Sequence, residues 1–103
     1  MDSTPALAGF QRKHLRRLAH SYKPLVHVGE AGVSSRVLAA LDEALSDHEL
    51  VKVRLHEPED KRTMARELAM RSRSALCGLI GHTVILYRPH PEKPRIDLPD
   101  RAG

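Results

Sequence analysis

Seven histidines, one cysteine, two serines behind a glycine turn and a few adjacent carboxylates are the side chains of this chain that could do chemistry. The histidines are His14, His20, His27, His48, His56, His82 and His90. None stands in an H-x-H, H-x-x-x-H or H-E-x-x-H relation that would turn two imidazoles toward one metal ion. Cys77 has no second cysteine with which to complete a disulfide or a thiolate site, which fits a reducing cytoplasm, and its apolar neighbours mark it as a core thiol. Ser34 and Ser35 follow Gly32 without the G-x-S-x-G frame of a nucleophile, and no Gly-Lys-Ser/Thr closes the turn as a Walker A loop requires. Asp42/Glu43 and Glu59/Asp60 fall on surface helix or turn positions, where solvation accounts for them. The expectation is a chain with no catalytic residues, no metal, no cofactor and no small-molecule substrate.

What the chain does carry is groups suited to phosphate. Gly29-Glu30-Ala31-Gly32 is a G-x-x-G between a run of β-branched residues and a helical pattern, so the piece reads strand, glycine turn, helix. Two residues without Cβ let the backbone bend and approach a ligand closely. The amides at the following helix start, together with the positive end of its dipole, favour phosphate oxygens. KH domains clamp an RNA backbone with such a loop. The motif alone is weak, since Gly78-Leu79-Ile80-Gly81 also matches it, and an ordinary tight connection between strand and helix explains the first copy equally well. A second feature points the same way. Arg12, Lys13, Arg16, Arg17 and His20 align by i,i+4 relations on one side of a predicted helix, opposite Leu15, Leu18 and Ala19, and that side holds no acid.

The bulk properties agree. A formal net charge of +4 and a pI near 9.6 suit a polyanionic partner, and 103 residues suffice for one self-supporting core. The aromatic residues are Phe10, Tyr22 and Tyr87 alone, too few for the stacking platforms of RRM or single-strand-binding OB domains, so nucleic-acid binding should be led by phosphate contacts. Met1 to Phe10 lacks the apolar run of a signal peptide, and no stretch approaches the roughly 18 apolar residues of a membrane span. A soluble, cytoplasmic protein with no membrane partner is expected.

The elements that must position these groups follow from periodicity. Residues 1–9 read as a frayed tail. A helix from Phe10 is stopped by Pro24, Leu25 to Val28 forms a strand, and Ser34 caps a helix to about Asp47. Glu49 to Leu55 alternates as a half-buried strand, with Val51, Val53 and Leu55 on one face and Lys52 and Arg54 on the other. Asp60 caps a third helix to about Arg73, crowded with Lys61, Arg62, Arg66, Arg71 and Arg73. Ala75 to Ile80 and Thr83 to Arg88 form a hairpin joined by Gly81-His82, a pair suited to a type II′ turn. Residues 90–103 read as a proline-rich, irregular and partly mobile tail, leaving 10–89 as the domain. The order is αβαβαββ, an α/β fold with a four-stranded mixed sheet and helices mainly on one face.

At this point the residues resemble a known family. The run LRRLAHSYKPLVHVGEAGVSSRVLAALDEALSDHELVKVRL, the basic helix after it and the closing IGHTVILYRP resemble the CRM domain (chloroplast RNA splicing and ribosome maturation), in particular its stand-alone bacterial YhbY-like members. The likeness runs from about Gln11 to Pro89 and rests on the combination of KP, VG-x-x-GV, HELVKV and VILYR at this spacing. It implies a non-catalytic RNA-binding domain, similar in fold to the C-terminal domain of a bacterial translation initiation factor, that associates with ribosomal RNA in precursors of the large ribosomal subunit. The RNA-binding residues expected are Arg12, Lys13, Arg16, Arg17, Lys23, Gly29, Glu30, Ala31, Gly32 and Arg36. Glu30 departs from the Lys or Asn often found inside this loop, so backbone amides would have to dominate there. A reading from another class is a protein-interaction module on a ribosomal or regulatory complex.

Overall fold

A computed structural model describes residues 4–101; the outermost parts of the two expected tails, 1–3 and 102–103, lie outside the described residues. The elements are α1 (Gly9–Ala19), β1 (Val26–Val28), α2 (Ser35–His48), β2 (Leu50–Leu55), α3 (Lys61–Ser72), β3 (Ala75–Ile80) and β4 (Thr83–Tyr87). The sheet order is β1-β2-β4-β3, with β1 parallel to β2 and the other two pairs antiparallel. The α/β class, the αβαβαββ order and the mixed four-stranded sheet are therefore as the sequence implied.

Because β2 and β4 alternate, the sheet builds two cores. Val51, Val53 and Leu55 of β2 and Val84 and Leu86 of β4 join Leu41 and Leu45 of α2 and Ala65 and Leu68 of α3 on one face. Their neighbours Leu50, Ile85 and Tyr87 point the other way and bury Leu15 and Ala19 of α1 together with Cys77. Two helices thus share one face, while α1 lies on the other.

Helix ends follow local chemistry. Ser34 Oγ accepts the Val37 amide and Asp60 Oδ1 the Thr63 amide, the two caps expected. At α1 no side chain caps the helix; Gln11 reaches back to the Ala8 amide at 2.9 Å. This helix ends at Ala19, short of Pro24, and a turn closed by Tyr22 N–H to Ala19 C=O carries the chain toward β1.

Leu7 packs on the α1 core, as do Ile96 and Leu98 from the far end of the chain. The anchor is Glu49, the C-cap of α2, which is 1% exposed and stands at φ 62°. Its carboxylate accepts the amides of His90, Arg95 and Ile96 at 2.6, 2.8 and 3.0 Å. Gln11 Nε2 also donates to the Pro99 carbonyl. The segment is irregular, as its prolines dictate, and residues 90–99 lie as a strap across the α1 side.

Candidate nucleic-acid interface

The glycine turn sits at the carboxyl end of β1, an edge strand. Gly32 N–H donates to Gly29 C=O at 3.0 Å, closing a four-residue turn, and Gly32 stands at φ 69°, where a Cβ is disfavoured. Gly29 has no positive φ, and a Cβ built on it meets nothing within 4 Å. Only one of the two glycines is therefore demanded by the backbone. Glu30 and Ala31 at the tip are exposed. The helix begins three residues beyond the turn, so its end is presented by Ser34, Ser35 and Arg36 rather than by the turn itself. The amides of Ser35 and Arg36 precede the first helical bond, Leu38 N–H to Ser34 C=O, and the Arg36 side chain is exposed beside them.

One flank of the turn is acidic. A groove between it and the start of α3 is lined by Glu30, Glu57, Glu59, Asp60 and Glu67, with His56 at its edge. Asp60, held below the usual carboxylate range by the Thr63 amide and hydroxyl it accepts, is a firm negative charge there. A phosphate chain approaching from α3 would be repelled, so the open side is the other one.

That other side is the sheet face which α1 leaves uncovered. His27 of β1 and Arg54 of β2 are register partners, both exposed. His56, at the strand's end, lies against His27, with Nδ1 of His27 and Nε2 of His56 3.1 Å apart and the rings stacked at a centroid distance of 5.3 Å. These three were not among the expected site residues. The signal was present in the alternation, since Val26 and Val28 point to the core and oblige His27 to face away, as Val53 and Leu55 oblige Arg54.

The cationic side of α1 divides. Lys13, Arg17 and His20 are exposed. Arg12 and Arg16 are half-buried and tied to backbone, Arg12 Nη1 donating to Leu7 C=O at 2.6 Å and Arg16 Nη1 to Cys77 C=O at 2.7 Å. Leu18, expected in the buried stripe, is 37% exposed, because the helix turns Leu15 and Ala19 to the sheet. Lys23 is exposed in the α1–β1 connection, at the amino end of β1 and so at the opposite end of that strand from the glycine turn. The structure therefore brings Gly29, Glu30, Ala31, Gly32 and Arg36 to one end of β1, and leaves Lys13, Arg17 and Lys23 on the α1 side of the sheet. A further cationic cleft, lined by Lys61, Arg62 and Arg66 of α3, lies against β3.

Among the described residues no group of three or more His, Cys, Asp or Glu is placed to hold a metal ion, and no helix is long and apolar enough to cross a membrane. Cys77, the one thiol, is buried and pushed up to about 12 by desolvation, so it is no nucleophile at neutral pH.

A small α/β domain with a G-x-x-G turn ahead of α2 and an acid-free basic face on α1 defines the class. The family model for the CRS1/YhbY (CRM) domain matches residues 7–88, and the chain belongs to that family. It is 42% identical over 95 residues to the probable RNA-binding protein PA4753 of Pseudomonas aeruginosa, covering 90% of each chain. To the probable RNA-binding protein YqeI of Bacillus subtilis it is 39% identical, over 90% of this chain and 99% of the relative. The solution structure of the hypothetical protein SAV1595 from Staphylococcus aureus superposes with a TM-score of 0.80 at 33% identity, covering 91% of this chain and all of that one.

Proposed function

We propose that this protein binds structured RNA chiefly through phosphate contacts, and that in the cytoplasm it associates with ribosomal RNA in precursors of the large ribosomal subunit. The observation that carries the reading is a group of exposed basic side chains on α1 and on the sheet face beside it. Lys13, Arg17 and His20 of α1, and His27 and Arg54 of the uncovered sheet, are exposed on the face away from the acidic groove. The turn and the start of α2 add amides and Arg36 at its border. Membership of the CRM family and the names of its relatives support RNA as the polyanion. With few base-reading groups, selectivity comes from RNA shape, which ribosome precursors display transiently.

Gradient fractionation of cell extract at low and high salt tests the partner. The protein should travel with large-subunit precursors at low salt, leave them at high salt and be depleted from polysomes. A peak with polysomes, or with free protein even at low salt, would remove the assembly role and favour a protein-interaction module.

A further inference from the structure

Two short runs that carry the family likeness, Lys23-Pro24 and the segment from His48 to Val53, take no part in the glycine turn, yet the fold brings them together. Lys23 of the first and His48, Leu50, Val51 and Lys52 of the second line an open cleft of about 300 Å³ at the amino ends of β1 and β2, the end of the sheet opposite the turn. Its apolar lining is Leu50 and Val51, which are buried, and Leu25, which is 52% exposed. Tyr22 forms one wall at 42% exposed, while Tyr87 is buried and Phe10 half-buried, so of the Phe and Tyr rings among the described residues Tyr22 is the exposed one. The wall is fixed from beneath: Lys52 Nζ donates to the carbonyls of His20 and Tyr22 at 3.3 and 3.1 Å, and Leu25 N–H donates to Lys52 C=O. Lys23 and His48 complete the lining, which contains no carboxylate. Glu49, though it stands between His48 and Leu50 in sequence, gives its carboxylate to the C-terminal strap instead.

An open aromatic ring beside apolar side chains, with cations and no acid around it, suits a nucleobase attached to a phosphate. We propose that this cleft receives one unpaired nucleotide of the bound RNA, its base stacked on Tyr22 and its phosphate beside Lys23. The inference rests on the RNA-binding reading and adds what that reading lacks, a place where the protein tells an unpaired nucleotide from a paired one. With a single tyrosine in its lining, the cleft suits one stacked base rather than a stacked run. The bound class is RNA that carries a bulge or a flipped-out base next to a helix, because bases stacked inside a duplex offer no free face.

The test compares a short RNA hairpin with the same hairpin carrying one bulged nucleotide, both titrated against the full chain, its Tyr22→Ala and Tyr22→Phe variants, and Lys23→Ala. The bulged hairpin is expected to bind about tenfold tighter, a ratio within the range of a single base–aromatic stack. Tyr22→Ala should bring that ratio to one while leaving the paired hairpin's affinity unchanged, and Tyr22→Phe should keep it. Lys23→Ala should reduce it. Tyr22 is exposed, so loss of folding does not confuse the result. Equal affinity for both hairpins, or a ratio that survives Tyr22→Ala, overturns the cleft proposal and leaves RNA binding standing. Failure to bind either hairpin at low salt overturns the RNA-binding reading itself and this proposal with it.

Discussion

Arg16 lies across Gly78. A Cβ built on Gly78 would fall 2.7 Å from Cδ of Arg16 and 3.1 Å from its Cγ, and the guanidinium beyond donates to Cys77 C=O at 2.7 Å. The second G-x-x-G match, Gly78 to Gly81, is thus β3 and its turn, and its first glycine makes room for an arginine stem. Arg16 is a bolt between α1 and β3 before it is a phosphate ligand. Gly78→Ala must push the stem aside and should cost about 1–3 kcal/mol, as overpacking does. Arg16→Ala should cost about 1 kcal/mol through the lost charge-assisted bond, while Arg17→Ala, on the exposed side, should stay within about 0.5 kcal/mol. Urea unfolding of the three variants checks the order.

The same division assigns the α1 cations. Lys13→Glu and Arg17→Glu should each weaken RNA binding across sequences and lower the salt slope by about 1, with melting temperature unchanged. Arg16→Glu should lower the melting temperature as well. Filter binding at several salt concentrations, with thermal melts in parallel, separates the cases.

Around the turn, Gly32→Ala should cost about 1 kcal/mol because its φ of 69° disfavours a Cβ, and Gly29→Ala should be near neutral. Glu30→Lys removes one carboxylate from the acidic flank and should raise RNA affinity several-fold with no change in stability. Unchanged affinity in a folded Glu30→Lys protein would make the loop a turn and nothing more.

How far the sequence carried these conclusions depended on the range of the interaction. Ser34 and Asp60 could be named as caps because a cap acts within three residues, and β2 could be read because Val51, Val53 and Leu55 alternate over a single strand. The face taken by α1 could not be read. Leu50, Ile85 and Tyr87 look like the ends or back of strands whose other face is already apolar, and only the register of β2 with β4 shows that they make a second core. In sequence Glu49 reads as the first residue of β2, yet it caps α2 at positive φ and bonds three amides more than forty residues away. Nothing local announces those bonds. Arg12 and Arg16 look alike with Lys13 and Arg17 in sequence because helical spacing gives an angle and not a depth.

Glu49 should therefore govern the strap. Glu49→Ala leaves three amides without an acceptor and should cost about 2–4 kcal/mol, since each lost partner of a buried group carries a desolvation penalty of order 1 kcal/mol or more. Faster amide exchange at His90, Arg95 and Ile96, with the β4 amides still protected, would show release of the strap alone.

Stability should fall at alkaline pH. Burial raises the Cys77 thiol from 9.0 to about 12 and raises Tyr87, next to Glu49, above its ordinary value. The unfolded chain gives up the thiol proton near pH 9 while the fold retains it, so the fold binds more protons and loses stability between pH 9 and 12. The loss is at most about 1.4 kcal/mol per pH unit for that one proton. At the acid end Asp60, held low by Thr63, favours the fold above its ordinary 3.8, and that contribution disappears as pH falls below it. Denaturant midpoints of the native chain and of Cys77→Ser, compared at pH 8 and pH 10, isolate the thiol.

The central claim is a phosphate-led hold on RNA, and the salt dependence of affinity tests it most directly. With about four to six phosphates neutralised, log K against log salt should fall with a slope near −3 to −5, and Lys13→Glu combined with Arg17→Glu should flatten it by about two. A slope near zero, or one that the double reversal leaves unchanged, would contradict the account.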